Sequence, residues 1–332
     1  MLILINDSMA DVFVSESSYA KGKLVYDAEN AKSGELRFVA VPDADEEALG
    51  QRIREEGVQA FIARPVVFSG PLYEALGDGG IIVRFGVGHD GIDKAKAKAC
   101  GVKVANTPGC LENAVAEQGL WLMGCLARGL AQLMSSTAKG EWKPSRGFEL
   151  RGRTLAIVGF GRIGRRLGEI ANNGFGMEVI GVGQRPASEV EKCSFARYTN
   201  DLEGALAEAD FVAVCAAATD ATRHLVDATF LEAMRTSAYL VNLARGTLVD
   251  EAALFDALEQ GGIAGAGLDV FMEEPYAPVD PARDLRTLSN AIMTPHTASY
   301  TVEANEAMAQ MTVETVRTAL LGDANDLNNL VC

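Results

Sequence analysis

Short apolar runs alternate with polar stretches of helical length along almost the whole chain. Up to about residue 105 the order is "LRFVAVP", "ADEEALGQRIREEG", "VQAFIAR", "PLYEALGDG", "IIVRFGVG", "KAKAKACG" and "VKVANTPG". Strand-like runs separated by helices of that length predict βαβ units and a parallel sheet. The opening "MLILINDSMADVFVS" reads as a first strand. Residues 112–139 carry apolar side chains at helical spacing, which predicts a long amphipathic helical segment. The polar bridge "EWKPSRGFELRG" leads into a second alternation from residue 154, through "TLAIVG", "MEVIGVG", "DFVAVCA", "AYLVNLA", "AGAGLDVF" and "AIMTPH". Those six strand-like runs complete a second doubly wound sheet. Residues 301–321 read as one closing helix.

Length and charge narrow the picture. At 332 residues the chain is long for one domain and natural for two. A formal charge of −15 argues against nucleic acid or an anionic membrane as the main partner, because both demand a basic footprint. Any anionic ligand must be caught by local positive groups against an unfavourable average field. The six cysteines show no C-x-x-C pair and no secreted-scaffold spacing, which predicts reduced, structural thiols. Three scattered histidines give a metal site little to build on, so none is expected. With no signal-peptide pattern and no uninterrupted apolar run of spanning length, the expectation is a soluble, cytoplasmic protein without a membrane.

Two stretches spell G-x-G-x-x-G after a strand-like run: Gly86, Gly88 and Gly91 in "IIVRFGVGHDGID", and Gly159, Gly161 and Gly164 in "TLAIVGFGRIGRR". A dinucleotide pyrophosphate needs a tight turn, close backbone approach and a helix N-terminus aimed at the anion. The second copy supplies these. The amides of Arg162 and Ile163 face the phosphates, no acid lies in the turn, and a helix follows with Leu167, Ile170 and Ala171 facing inward. In the first copy Asp90 and Asp93 would repel a pyrophosphate. Its Val87 and Gly88 amides suit a smaller anion such as a substrate carboxylate, and a plain tight turn is the competing reading. After the phosphate helix an NAD-binding strand ends in an acid for the ribose hydroxyl. In "MEVIGVGQRP" that place holds Gly183, followed by Gln184 and Arg185. An arginine fork binds the extra phosphate that a carboxylate would repel, so the expected cofactor is NAD(P)H, leaning to NADP(H).

Three further stretches, "LVNLARGTLVDEAAL", "GAGLDVFMEEPYAP" and "IMTPHTASY", complete an ordered set with the second glycine pattern. Together with "GVGHDGID", "VANTPG" and "ENAVAEQ", the chain resembles the D-isomer-specific 2-hydroxyacid dehydrogenase family over nearly its whole length. The resemblance implies an α/β protein of two doubly wound parallel-sheet domains. A Rossmann cofactor domain (112–296) is inserted in a flavodoxin-like substrate domain (1–111 and 297–332), and 112–139 helps to form a homodimer. It implies catalytic roles for Arg245, Glu274 and His296, a substrate-carboxylate loop at Val87 and Gly88, and a further substrate contact at Arg64. Thr222, Leu243, Ala244 and Asp269 fall at positions near the cofactor.

The chemistry stands on its own terms. Reducing a 2-oxo acid puts hydride on a carbonyl carbon while negative charge grows on the oxygen. A guanidinium can hold the carboxylate and stabilise that charge, and an imidazolium can deliver the proton. A neighbouring carboxylate favours the charged imidazole and orients it. Taken singly, each of the three residues has an ordinary structural reading; each following a strand of one domain, they read as a site. His89 and His224 receive no catalytic role. The sequence departs from the family at Gly183 and at Ala217, where a proline is usual, and Glu274 argues against formate dehydrogenase activity. The competing reading is a dinucleotide-sensing, corepressor-like binding protein without turnover; a third is oxidation of an unusual acid such as phosphite by the same residues.

Overall fold

The computed structural model describes residues 9–32, 34–43, 45–186 and 193–332. The chain forms two compact units, Met1–Leu111 with Tyr300–Cys332, and Glu112–Ser299.

The first unit runs β1 (Ala10–Ser15), α1 (Glu16–Lys21), α2 (Lys23–Asn30), β2 (Leu36–Val41), α3 (Glu46–Glu56), β3 (Ala60–Ala63), α4 (Pro71–Leu76), β4 (Ile81–Arg84), α5 (Lys94–Ala99) and β5 (Lys103–Ala105). Its sheet has the order β2-β1-β3-β4-β5 with every pairing parallel. β3 and β4 are buried at every residue, which is why they read as unbroken apolar runs. Of the predicted opening strand, Ala10–Ser15 forms β1; residues 1–8 lie outside the described residues.

The second unit begins with α6 (Glu112–Arg128) and α7 (Leu130–Ala138), followed by β6 (Thr154–Val158), α8 (Arg162–Phe175), β7 (Glu178–Val182), β8 (Arg197–Thr199), α9 (Leu202–Glu208) and β9 (Phe211–Val214). It continues through α10 (Ala228–Ala233), β10 (Tyr239–Asn242), α11 (Glu251–Glu259), β11 (Gly265–Leu268) and β12 (Ala291–Met293). The chain then returns to the first unit with α12 (Val302–Leu321). The second sheet is parallel throughout, in the order β12-β11-β10-β9-β6-β7-β8. The strand order reverses between β6 and β9, the topological switch point where ligands of open α/β sheets bind.

Two expectations are corrected. The segment 112–139 is two helices, because Gly129 takes a left-handed conformation (φ 60°) that ends α6. The sheet has a seventh strand, β8, which the six-run reading lacks; "RYT" is too short and too polar to register as an apolar run. Buried Ala156, Val212, Leu240 and Ala266 fill one face of the sheet together with Leu254 and Leu258 of α11. α6 presses onto the sheet and onto α8 through glycine: a Cβ at Gly119 would lie 2.6 Å from Leu243 Cδ1, and one at Gly267 would lie 3.1 Å from Leu122 Cβ. Aspartates at 201, 227 and 250 cap α9, α10 and α11 by accepting from first-turn amides. In the first unit Asp93 caps α5 the same way, so that acid of the first glycine pattern serves a helix.

Candidate functional site

The second glycine pattern forms the corner between β6 and α8, and its three glycines meet three different demands. Gly159 has φ 97°, and a Cβ there would strike the backbone at Ala216. At Gly164 a Cβ would sit 2.5 Å from the Gly159 carbonyl oxygen and 2.8 Å from Ile157, so helix and strand touch only without a side chain. Gly161 opens α8 and a Cβ there meets nothing within 4 Å. The space in front of the helix N-terminus is clear, and the first-turn amides, including those of Arg162 and Ile163, lack intrahelical partners. α8 has no acid in its first turn. Leu167 and Ala171 are fully buried as expected, whereas Ile170 is half-buried. This corner fits a dinucleotide pyrophosphate in shape and in charge.

Beyond β7 the backbone carries Gly183, half-buried, then exposed Gln184 and Arg185. A Cβ at Gly183 would lie 2.6 Å from the hydroxyl of Tyr198, so a side chain at the place expected for a ribose-binding acid would have to displace that hydroxyl.

The three chemistry-bearing residues leave the same carboxyl edge of the sheet, from strands on the other side of the switch point. Arg245 follows β10, Glu274 follows β11 and His296 follows β12. His296 Nδ1 and Glu274 Oε2 are 2.6 Å apart, with 35% and 36% of the two side chains exposed. The other oxygen of Glu274 accepts from the Phe271 amide at 3.0 Å, and the peptide bond after Glu274 is cis. Burial pushes the Glu274 carboxyl up, but the hydrogen bond and charge of His296, the Phe271 amide and the charge of Arg245 together hold it below the usual carboxylate range. His296 itself sits at φ 51°, a left-handed conformation that costs a non-glycine residue roughly 1 kcal/mol or more. Its amide donates to the Asp269 carbonyl at 2.8 Å and to Thr294 at 3.0 Å, so the surrounding backbone imposes this conformation.

Asp269 supplies much of that frame. Its fully buried carboxylate accepts from Thr294 Oγ1 at 2.5 Å, the Thr297 amide at 2.9 Å and the Ala298 amide at 2.8 Å. The sequence sets Asp269 beside the cofactor; here its oxygens are turned onto the histidine loop. Thr222 likewise uses its hydroxyl locally, donating to the Ala217 carbonyl at 2.7 Å and accepting from the Thr219 amide. Leu243 is buried and its amide donates to Val214, while the Arg245 guanidinium donates to the Ala244 carbonyl at 2.7 Å.

Three supporting residues escaped the sequence reading. Buried Asn242 ends β10 and splints the arginine turn: its side chain accepts from the Ala244 amide at 3.1 Å and donates to the Arg245 carbonyl at 3.0 Å. Gly246 lies against the Phe271 carbonyl so closely that any Cβ would overlap it, so the arginine and glutamate loops touch backbone to backbone. Glu251, buried at the start of α11, accepts from the Met272 amide at 2.7 Å and ties that helix to the glutamate loop. Burial pushes its carboxyl up against the pull of the Met272 amide, and the charge of Glu273 adds to the rise. A glutamate in the first turn of an amphipathic helix reads as a solvated charge, so only the fold reveals this contact.

In the first unit, the loop with Val87 and Gly88 is held by Asn106, which donates to the Val87 carbonyl at 2.8 Å, and by Thr107, which accepts from the Gly86 amide at 3.0 Å. Among the described residues the Val87 and Gly88 amides donate to no protein acceptor. Arg64 lies 3.5 Å from the Asp43 carboxylate. Among the described residues no group of three or more His, Cys, Asp or Glu side chains could hold a metal ion, and no helix is long and apolar enough to cross a membrane.

A parallel sheet with this strand order, a three-glycine corner at its switch point and a histidine–carboxylate pair beyond its strands define a dinucleotide-dependent oxidoreductase. Residues 120–298 match the family described as D-isomer specific 2-hydroxyacid dehydrogenase, NAD binding domain. The glyoxylate reductase of Thermococcus litoralis is 40% identical over 240 residues, 70% of this chain and 71% of that protein. The glyoxylate reductase of Pyrococcus furiosus is 40% identical over 70% of each. A crystal structure of the NADPH-dependent glyoxylate/hydroxypyruvate reductase of Sinorhizobium meliloti, in complex with NADP and malonate, superimposes with a TM-score of 0.82 at 29% identity, covering 98% of this chain and 97% of that one. The chain belongs to the D-isomer-specific 2-hydroxyacid dehydrogenase family. It is an NAD(P)-dependent enzyme that interconverts a 2-oxo acid and its D-2-hydroxy acid by hydride transfer.

Proposed function

We propose that the protein reduces a small 2-oxo acid, with glyoxylate and hydroxypyruvate as first candidates, and uses NADPH in preference to NADH. The observation that carries this reading is the 2.6 Å pair of His296 and Glu274, placed after adjacent strands of the dinucleotide sheet. When bound, the reduced nicotinamide supplies the hydride for the substrate carbonyl carbon. Glu274, ionised through the neutral range, accepts from Nδ1 of His296 and leaves Nε2 to hand a proton to the carbonyl oxygen. Arg245 holds the substrate carboxylate and offsets charge growing on that oxygen. Within the first unit, the Val87 and Gly88 amides suit a small anion such as a substrate carboxylate, and Arg64 adds positive charge. In the reverse direction His296 takes the hydroxyl proton back.

On the cofactor side, Gly159, Gly161, Arg162, Ile163 and Gly164 cradle the pyrophosphate, and Gln184 and Arg185 take the 2′-phosphate. Leu243 and Ala244 line the nicotinamide side, with Thr222 and Asp269 shaping the walls through their local bonds. The S. meliloti reductase, whose structure holds NADP, supports the NADPH preference. The protein acts as a homodimer, covering Trp121 and Met134, which are 66% and 70% exposed on α6 and α7. A panel of 2-oxo acids run with NADPH and with NADH tests the reading. Turnover of glyoxylate or hydroxypyruvate with a lower KM for NADPH is expected; cofactor binding with no turnover of any 2-oxo acid would instead favour a dinucleotide-sensing protein.

A further inference from the structure

The edge strand β8 reaches back over the loop that carries Gln184 and Arg185. The Tyr198 hydroxyl donates to the Arg185 carbonyl at 3.0 Å. The Asn200 amide group donates to the same carbonyl at 2.8 Å and to the Gly183 carbonyl at 2.7 Å. Two backbone carbonyls of a three-residue loop are therefore held by two side chains from one neighbouring strand and its end. The Tyr198 ring packs 6.2 Å from that of Phe160, the residue between Gly159 and Gly161, and Phe160 is itself buried against Gly181 of β7, where a Cβ would lie 2.5 Å from its ring. One connected set of contacts thus links the glycine corner to the loop beyond β7.

We propose that Tyr198 and Asn200 are positioning residues that set the choice between NADPH and NADH, acting through the backbone of Gly183–Arg185; this rests on the reading that Arg185 takes the 2′-phosphate. Two effects combine. Carbonyl lone pairs facing a dianionic phosphate would repel it, and the clamp occupies those of Gly183 and Arg185 with donors. The Tyr198 hydroxyl also fills the volume that any side chain at 183 would need. An acid that would favour NADH must first displace that hydroxyl from the Arg185 carbonyl, before charge is considered. Without the hydroxyl the nearest Tyr198 atom to a Cβ at 183 is 3.4 Å away, an ordinary contact.

The experiment is steady-state kinetics of the full-length enzyme with NADPH and with NADH, for wild type, Tyr198→Phe, Asn200→Ala, Arg185→Ala, Gly183→Asp and Gly183→Asp/Tyr198→Phe. Tyr198→Phe keeps the ring packing on Phe160. Each clamp variant is expected to raise the KM for NADPH by roughly 2- to 10-fold, the worth of about one net hydrogen bond, with the KM for NADH and both kcat values within twofold. The double variant should use NADH better than either of its parents. If Arg185→Ala leaves the ratio of the two KM values unmoved, the cofactor reading fails and the clamp falls with it. If Arg185→Ala moves the ratio but Tyr198→Phe and Asn200→Ala change both KM values by one factor, or not at all, the clamp alone is overturned.

Discussion

At the scale of single residues, the site works by holding ordinary side chains in places they would not choose. His296 is kept in a left-handed backbone by bonds to Asp269 and Thr294, and its ring is kept by Glu274. Glu274 ionises below the usual carboxylate range, which carries a linkage consequence. A carboxyl whose folded value is depressed stabilises the protein above its unfolded value, about 4.3, and that contribution is lost as pH falls through the lower folded value. Thermal melts of wild type and Glu274→Gln should therefore differ most at neutral pH and converge in acid. A gap that stays constant from pH 7 to pH 3 would mean the carboxylate is not coupled to the fold. The hydrogen-bonded splint by Asn242 and the close backbone contact at Gly246 are local, with no periodic signature. That is why the arginine, glutamate and histidine were legible as ordered words while the parts that hold them were not.

At the scale of elements, apolar composition decided what could be read. β3, β4, β9 and β11 are buried at every residue and stand out as apolar runs. β8 and β12 are both three residues long with none buried, but "AIM" is apolar and was legible whereas "RYT" is polar and was not. The break between α6 and α7 depends on the left-handed conformation of Gly129, which an amphipathic pattern does not encode. The glycine corner was legible because each glycine meets a separate steric demand, and those demands separate under mutation. Gly161→Ala places its methyl in open space with φ at −87°, so stability should change by no more than about 0.5 kcal/mol while the Kd for NADPH rises at least about tenfold. Gly164→Ala pushes α8 off β6, and the melt should show a loss of about 1–3 kcal/mol. Paired calorimetry and fluorescence titration read both quantities. Equal stability losses in the two variants would contradict the assignment of the corner.

At the scale of the whole molecule, a chain of formal charge −15 binds an anionic dinucleotide and, on the reading above, an anionic acid. Its long-range field opposes both, and salt screens that field over about 8–10 Å at 0.10–0.15 M. The kcat/KM for NADPH should accordingly rise as NaCl goes from about 10 mM to about 150 mM, the reverse of a positively steered enzyme; a steady fall would show that local cations dominate even at long range. The two α/β alternations were legible as two sheets, and six of the seven strands of the second stood out as apolar runs, enough to indicate its class before any side-chain geometry was known. The central claim is that the His296–Glu274 pair transfers the proton in a dinucleotide-dependent reduction. The direct measurement is glyoxylate-dependent NADPH oxidation by His296→Ala, alongside NADPH binding to the same variant. A loss of roughly 10²–10⁴-fold in kcat with the NADPH Kd within about threefold of wild type is the predicted result. Turnover within a few-fold of wild type would contradict it.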